Sequence, residues 1–509
     1  MWKLVLLDQF HDVIPGTSIG LVYEDTKKHY DYCLKTVNEI ISEFSNHLFK
    51  NFVNADLSQN LERYVHNIFD PEESTKSTKA NYIAFNSENF DRLEYVTVPG
   101  PTKACSGFVQ VPQNGYACFS PSDLTTVKSV QDPISCEEAK DSFMIDSKFY
   151  SVTLNKNGRI TSYKDKQISQ HRQKKMVDSE AAAINMLRLH DDIPDFWDAW
   201  DIFDWSRYTH TDVLADPDKT VVIDESEKAI GVRFEYAVSE TSSLVQIVYF
   251  YSHTQRIDFS CSIDWNQNRK LLRVYFPVNV MSDHVTYDIQ NGVLRRSANN
   301  NTTWEQAQYE VCGHKFASLS ESGYGVAILN DCKYGYSCKN NLIGMSLLRS
   351  PKWPYEAADI GHHEFTYSFF LHTGADGLKD VQKAAFEINS PLKMFKVPEE
   401  VKIDQTPSQS LIEIDQSHIV LDAFKISENN KSDYILRVHE SLGYTSDCKL
   451  TFNFLSIHNK ALDTVEVANI LENVKEDADQ NLISFTSSEI LINLRPFKIL
   501  TLKLTFKDA

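Results

Sequence analysis

The residues with the plainest chemical capacity lie near the start of the chain, in Gln9-Phe10-His11-Asp12-Val13-Ile14-Pro15-Gly16-Thr17. They set an imidazole beside a carboxylate. Neutral imidazole is a good ligand for zinc or cobalt, and a carboxylate suits the same ions through oxygen. The pair is equally suited to meet a sugar, although a His-Asp pair near a helix end is also a common capping or surface feature. A second group is His190-Asp191-Asp192-Ile193-Pro194-Asp195-Phe196-Trp197-Asp198-Ala199-Trp200-Asp201. Indole faces stack on sugar CH surfaces, and carboxylates accept hydrogen bonds from sugar hydroxyls. Trp197, Asp198, Trp200 and Asp201 are thus candidate substrate-binding residues of a loop reaching a sugar site. The same stretch also reads as an aromatic loop packing one domain on another. His362-His363 invite a metal reading, but neighbouring side chains on a strand point to opposite faces, so structural or hydrogen-bonding roles fit them better. Cys332 and Cys338 have no His or Cys partners spaced for a zinc motif.

The elements that must position His11 and Asp12 are helical. A short apolar run, Trp2 to Leu7, precedes the pair. Pro15-Gly16 breaks the chain, and Thr17 or Ser18 offers a helix cap. Tyr23, Tyr30, Leu34, Val37, Ile41, Phe44 and Leu48 then recur at three- and four-residue steps, one face of a helix reaching about Asn51. Leu61, Tyr64, Val65 and Ile68 suggest a second helical piece, closed by Asp70-Pro71 and the polar run Glu72 to Lys79. His29, His47 and His66 read as solvated or structural.

From Asn81 the period changes to two. Tyr82 to Asn86, Leu93 to Val98, Phe108 to Val111 and Tyr116 to Phe119 predict a small β domain. Phe149 to Leu154 and Ile160 to Tyr163 flank Asn157-Gly158, a hairpin-turn dipeptide. Ile257, Phe259, Cys261 and Ile263 alternate with polar residues, the mark of a half-buried strand. Leu271 to Val278, Tyr324 to Leu329 and Phe365 to Leu371 extend the series into a large antiparallel sandwich. Tyr434 to Val438, Leu450 to Phe454 and Phe497 to Leu502 close the chain in β. The expected architecture is mainly β with an N-terminal helical segment. Its divisions are residues 1–78 (helical, carrying the His-Asp pair), 80–137 (small β domain), 138–395 (large β-sandwich) and 396–509 (C-terminal β domain).

The run Trp2-Lys3-Leu4-Val5-Leu6-Leu7-Asp8-Gln9-Phe10-His11-Asp12 resembles the His-Asp motif of glycoside hydrolase family 38, the retaining α-mannosidases. The phenylalanine before the histidine is similar to the cytosolic (neutral) branch. So are the His190–Asp201 stretch and, in the same order and similar spacing, Asn330 to Gly335, Ser346 to Lys352 and Asp359 to Tyr367. The resemblance runs from Trp2 to about Phe506. It implies a truncated middle helical domain, a mutarotase-like sandwich, and an α-mannoside oligosaccharide substrate in mannose catabolism. It also implies that His11 is one ligand of a zinc or cobalt ion and that Asp12 lines the sugar pocket. Only ten residues precede His11. The family's His-x-Asp pair, aspartate nucleophile and acid/base aspartate would lie before it. A retaining mechanism needs two carboxyl groups roughly 5 Å apart, and no stretch here resembles either one. The expectation is therefore a chain that supplies one metal ligand and the β-domains, does not hold the metal by itself, has no catalytic residue of its own and is inactive alone. Its missing partner is the N-terminal catalytic half; homo-oligomerisation of the complete enzyme is left open. The rival expectation is a non-catalytic β-sandwich protein that binds carbohydrate or a protein partner.

Composition narrows the partners. Fifty-one basic against 70 acidic side chains leave a net charge of −19, which argues against nucleic acid or an anionic membrane surface. No apolar run is long enough to span a bilayer, and the Met1–Leu7 run is too short for a secretory signal. Nine scattered cysteines, an odd number, suit reduced thiols in the cytoplasm. Asn301-Thr302-Thr303 and Asn430-Lys431-Ser432 match glycosylation acceptors, which matter only on a secretory route.

Overall fold

The computed structural model describes residues 1–52, 81–99, 104–126, 132–167, 175–177, 182–374, 376–397, 408–474 and 482–509. The expected second helical piece at 61–68, His66 and the 70–79 run lie outside the described residues. The chain forms two compact units. One comprises Met1–His47, Ser129–Tyr287 and Arg295–Gly377; the other comprises Leu48–Lys128, Asp288–Leu294 and Leu378–Ala509.

The first unit begins with a short helix, Trp2–Leu7, and a long one, Gly20–Phe52. Its body is an antiparallel sandwich. In one sheet the strand Ile257–Trp265 pairs with Ser243–Tyr251 on one side and Gly361–Thr373 on the other. In the other sheet Lys270–Pro277 lies between Met186–Asp191 and Leu342–Arg349. Strict alternation makes this possible. Along Ser243–Tyr251 the side chains of Leu244, Gln246, Val248 and Phe250 are buried while those between them are less so. Phe276 of the smaller sheet meets Tyr367 and Phe369 of the larger at ring separations of 6.0 and 6.4 Å, so the two inner faces share one core. Cutting back such a ring to alanine costs about 3–5 kcal/mol. The hairpin at Asn157-Gly158 forms as expected. Tyr150–Asn155 pairs with Ile160–Asp165, and Gly158 adopts φ +82° against the Tyr236 hydroxyl, where a Cβ would collide.

One polar group is sunk in this core. Gln246 accepts from Asn185 Nδ2 (2.7 Å) and the Tyr236 hydroxyl (3.1 Å), and donates to the Tyr367 hydroxyl (2.8 Å). Tyr367 in turn donates to Asn185 Oδ1 (2.5 Å). Each member satisfies another, as burial requires.

In the second unit, Asn81–Asn86 pairs with both Gly115–Phe119 and Lys393–Val397, and Gly115–Phe119 also pairs with Ser408–Ser410. These pairings join stretches that a linear division at residues 137/138 and 395/396 separates. Sheet pairing selects partners by face and register, and sequence distance does not limit it. Two four-stranded sheets, containing Ser446–Phe452 and Tyr434–Glu440, pack through Leu436, Val438, Leu450, Ile490, Ile492 and Leu502. The helix Gly377–Asn389 went unanticipated within a stretch read as β; it buries Val381, Ala384 and Ala385. No helix of the described residues is long and apolar enough to cross a membrane. All nine cysteines are free thiols.

Candidate functional site: the His11–Asp12 corner

The corner hangs between the two first helices. Asp8, at the end of the short helix, is buried and meets His29 Nδ1 on the long helix at 3.1 Å. That contact staples the helices together and fixes the turn between them. Gly16, at φ +79°, lets the chain reverse without the strain a Cβ would bring there. Thr17 and Ser18 were expected to cap the long helix. Instead the Thr17 hydroxyl donates to Asp12 Oδ1 (2.8 Å) and the Ser18 hydroxyl to the Asp12 carbonyl (2.6 Å). Both hydroxyls orient Asp12, because the helix starts two residues further on, at Gly20. The Ser18 N–H donates to the Tyr23 hydroxyl (2.7 Å). Burial pushes that phenol's pKa up, against the pull of the Ser18 bond.

His11 points outward. Its side chain is 67% exposed, and Nε2 lies 3.4 Å from Asp12 Oδ2. Beside it stands the second cluster found in the sequence: the Trp200 ring meets the His11 ring edge-on at 6.4 Å. Trp197 and Trp200 are 71% and 61% exposed, and Phe196 and Trp353 are exposed as well. Trp197 sits at φ +57°. A bulky residue there costs of order 1–3 kcal/mol and needs surroundings that enforce it.

Those surroundings centre on Arg349, which lies in the Ser346–Lys352 stretch noted for its resemblance but given no role of its own there. Its guanidinium donates to both carboxylate oxygens of Asp192 and to the carbonyls of Asp198 (2.9 Å), Ala199 (3.0 Å) and Asp201. Asp192 is buried, which raises its carboxyl pKa against the lowering influence of Arg349. Asp198 faces inward too. Its Oδ2 accepts from the N–H groups of Lys352 (2.5 Å) and Trp353 (3.2 Å). Expected from sequence as a sugar contact, its carboxylate instead holds two loops together. Asp201 Oδ1 accepts from the N–H of Ile202 (3.0 Å).

The adjacent histidines diverge as alternation requires. His362 Nδ1 lies 2.9 Å from Asp264 Oδ1, while His363 Nε2 lies 2.7 Å from the Asp359 carbonyl. Among the described residues no three His, Cys, Asp or Glu side chains gather where they could hold a metal ion. A catalytic zinc takes three protein ligands. The His11–Asp12 corner by itself does not fit a complete metal site.

The fold and this corner define a class: a multi-sandwich chain with a helical lead that carries an exposed His-Asp pair with Trp200 beside it. Three family models match in the corresponding order. Residues 1–48 match the alpha mannosidase middle domain, 145–357 the glycosyl hydrolases family 38 C-terminal domain, and 418–502 the family's C-terminal beta sandwich domain. The chain belongs to glycosyl hydrolase family 38, of which it carries these three domains. It is 30% identical over 530 residues to "Alpha-mannosidase G" of Dictyostelium discoideum, covering 99% of this chain and 47% of the relative. It is 30% identical over 511 residues to "Alpha-mannosidase 2C1" of Homo sapiens, covering 100% and 45%. The chain thus spans about half the length of the curated relatives it matches. A solved alpha-mannosidase from Enterococcus faecalis V583 has the same fold, with a TM-score of 0.72 at 14% identity over 99% of this chain and 62% of that one.

Proposed function

We propose that this chain is the carboxyl-terminal part of a retaining α-mannosidase of the cytosolic, neutral type, acting in the cytoplasm on α-mannosides of free oligosaccharides. In this reading His11 gives one ligand to a zinc or cobalt ion whose other donors come from an N-terminal catalytic half. Asp12 and the exposed tryptophans face the sugar. The observation that carries the reading is the collinear similarity to relatives named alpha-mannosidase over essentially the whole chain. A further support is the exposed apolar surface beside His11 in sequence, at Trp2, Leu6, Phe10 and Ile14. Apolar surface of this kind marks an interaction site, and a catalytic half docking there would cover it.

The test is reconstitution. The chain is co-expressed with the N-terminal half of human Alpha-mannosidase 2C1, and hydrolysis of an aryl α-mannoside is followed with zinc or cobalt added. The expected result is turnover by the pair and none by this chain alone. Turnover by the chain alone would refute the reading, as would an inactive pair whose halves demonstrably associate.

A further inference from the structure

Trp197, Trp200 and Trp353 present three exposed indoles on loops that are otherwise tightly tied down. Exposed aromatics on a mobile loop would collapse on one another or onto the surface. Here the backbone beneath them is fixed from both sides. Arg349 takes the carbonyls of Asp198, Ala199 and Asp201 from below, and its ion pair with buried Asp192 anchors the guanidinium itself. Asp198 then reaches across to the N–H groups of Lys352 and Trp353. One carboxylate and one guanidinium therefore lock the loop carrying Trp197 and Trp200 to the loop carrying Trp353. Asp198 Oδ1 stays buried without a partner, and Trp197 is held in the left-handed region. The left-handed backbone at Trp197 costs local energy, and Trp200 lies beside His11.

We infer that these three tryptophans form a preformed stacking platform for the sugar units of a manno-oligosaccharide beyond the ring that meets His11, and that Arg349 and Asp198 are its positioning residues. The inference rests on the α-mannosidase reading for the identity of the sugar. Planar indoles suit the flat CH faces of pyranose rings, and holding them rigid removes the ordering cost that would otherwise weaken binding. The platform selects for chain length: it offers nothing to a mannoside with a small aglycone and contacts a longer oligosaccharide.

The full chain is titrated with an α-linked mannotriose at millimolar concentration while tryptophan fluorescence is recorded. A saturable change is expected. Trp197→Ala and Trp200→Ala, both surface positions, should each weaken it about three- to tenfold, the range of one aromatic contact. Arg349→Met should weaken it at least as much with both indoles present, provided far-UV circular dichroism shows the sandwich intact, and Arg349→Lys should fall between. In the reconstituted pair the same variants should raise KM for the oligosaccharide several-fold more than KM for an aryl mannoside. No saturable signal, or tryptophan variants that bind like the parent, would overturn the inference and leave the reconstitution result untouched. An inactive pair whose halves demonstrably associate, beside normal mannotriose binding, would instead sink the α-mannosidase reading alone.

Discussion

Two histidines on the same sandwich unit show how this chain separates holding from reaching. His190 is buried, with Nδ1 2.9 Å from the Ser206 carbonyl and Nε2 3.0 Å from the Tyr275 hydroxyl. Burial drives its pKa down to about 4. Both nitrogens are committed, and the ring is a structural pin. His11 stands on an open turn with Asp12 as its polar neighbour. The same side chain type is closed off in one place and left free to meet something in the other. The contrast extends to the surroundings. The Gln246 network is buried and self-satisfied, whereas the Arg349 clasp spends its hydrogen bonds on loops that carry exposed rings. In the proposed function the working groups lie at the rim, and the core supplies rigidity.

The sharpest way to break this contrast is inside the core. Gln246→Ala takes from the Tyr236 hydroxyl its partner in the network and removes one partner each from Asn185 and Tyr367, which keep the Gly158 carbonyl and each other. The orphaned hydroxyl and the cavity together should cost about 3–5 kcal/mol by chemical denaturation. A loss below about 1 kcal/mol would mean the network carries no weight.

Next comes pH. His372 is buried like His190, and its pKa also falls to about 4. In both cases the unfolded ring, ordinarily near 6.5, takes up a proton before the folded one. The stability they contribute is full above about pH 6.5 and disappears as pH falls towards 4, by about 3 kcal/mol for each histidine. His372→Gln should flatten the acid limb of a melting-temperature profile; an unchanged limb would contradict the assignment.

Arg349→Met breaks a largely buried ion pair. After allowance for the partial exposure of Arg349, the expected loss is about 2–3 kcal/mol, read by denaturant unfolding. The smallest effect is expected at His362, whose carboxylate neighbours Asp264 and Glu364 are all on the surface. His362→Ala should leave the melting temperature where it was, because exposed pairs contribute little.

Much of the sandwich could be read from alternation. Ile257 to Ile263, the turn at Asn157-Gly158 and the opposed faces of His362 and His363 follow from period-two geometry, which is local. What escaped reading depends on contacts between distant residues. Arg349 meets Asp192 and Asp198 across some 150 positions, and nothing in its own neighbourhood announces that. The inward turn of Asp198 and the attachment of Thr17 and Ser18 to Asp12 are decided by what lies opposite them in space. The helix Gly377–Asn389 places Leu378, Val381, Ala385 and Ile388 at three- and four-residue steps, a helical period that a β reading of the whole stretch passed over. Within the site, the pair of interest and its aromatic neighbour were legible as residue types. The scaffold that aims them was not.

The central claim is that the free histidine of this contrast is the one that chemistry needs. It is tested most directly by His11→Ala in the chain co-expressed with the N-terminal half of human Alpha-mannosidase 2C1, with His362→Ala as the exposed control and aryl α-mannoside hydrolysis as the readout. The account predicts that turnover falls to the background of the N-terminal half alone in the first variant and is unchanged in the second. Full turnover with His11 removed would contradict it.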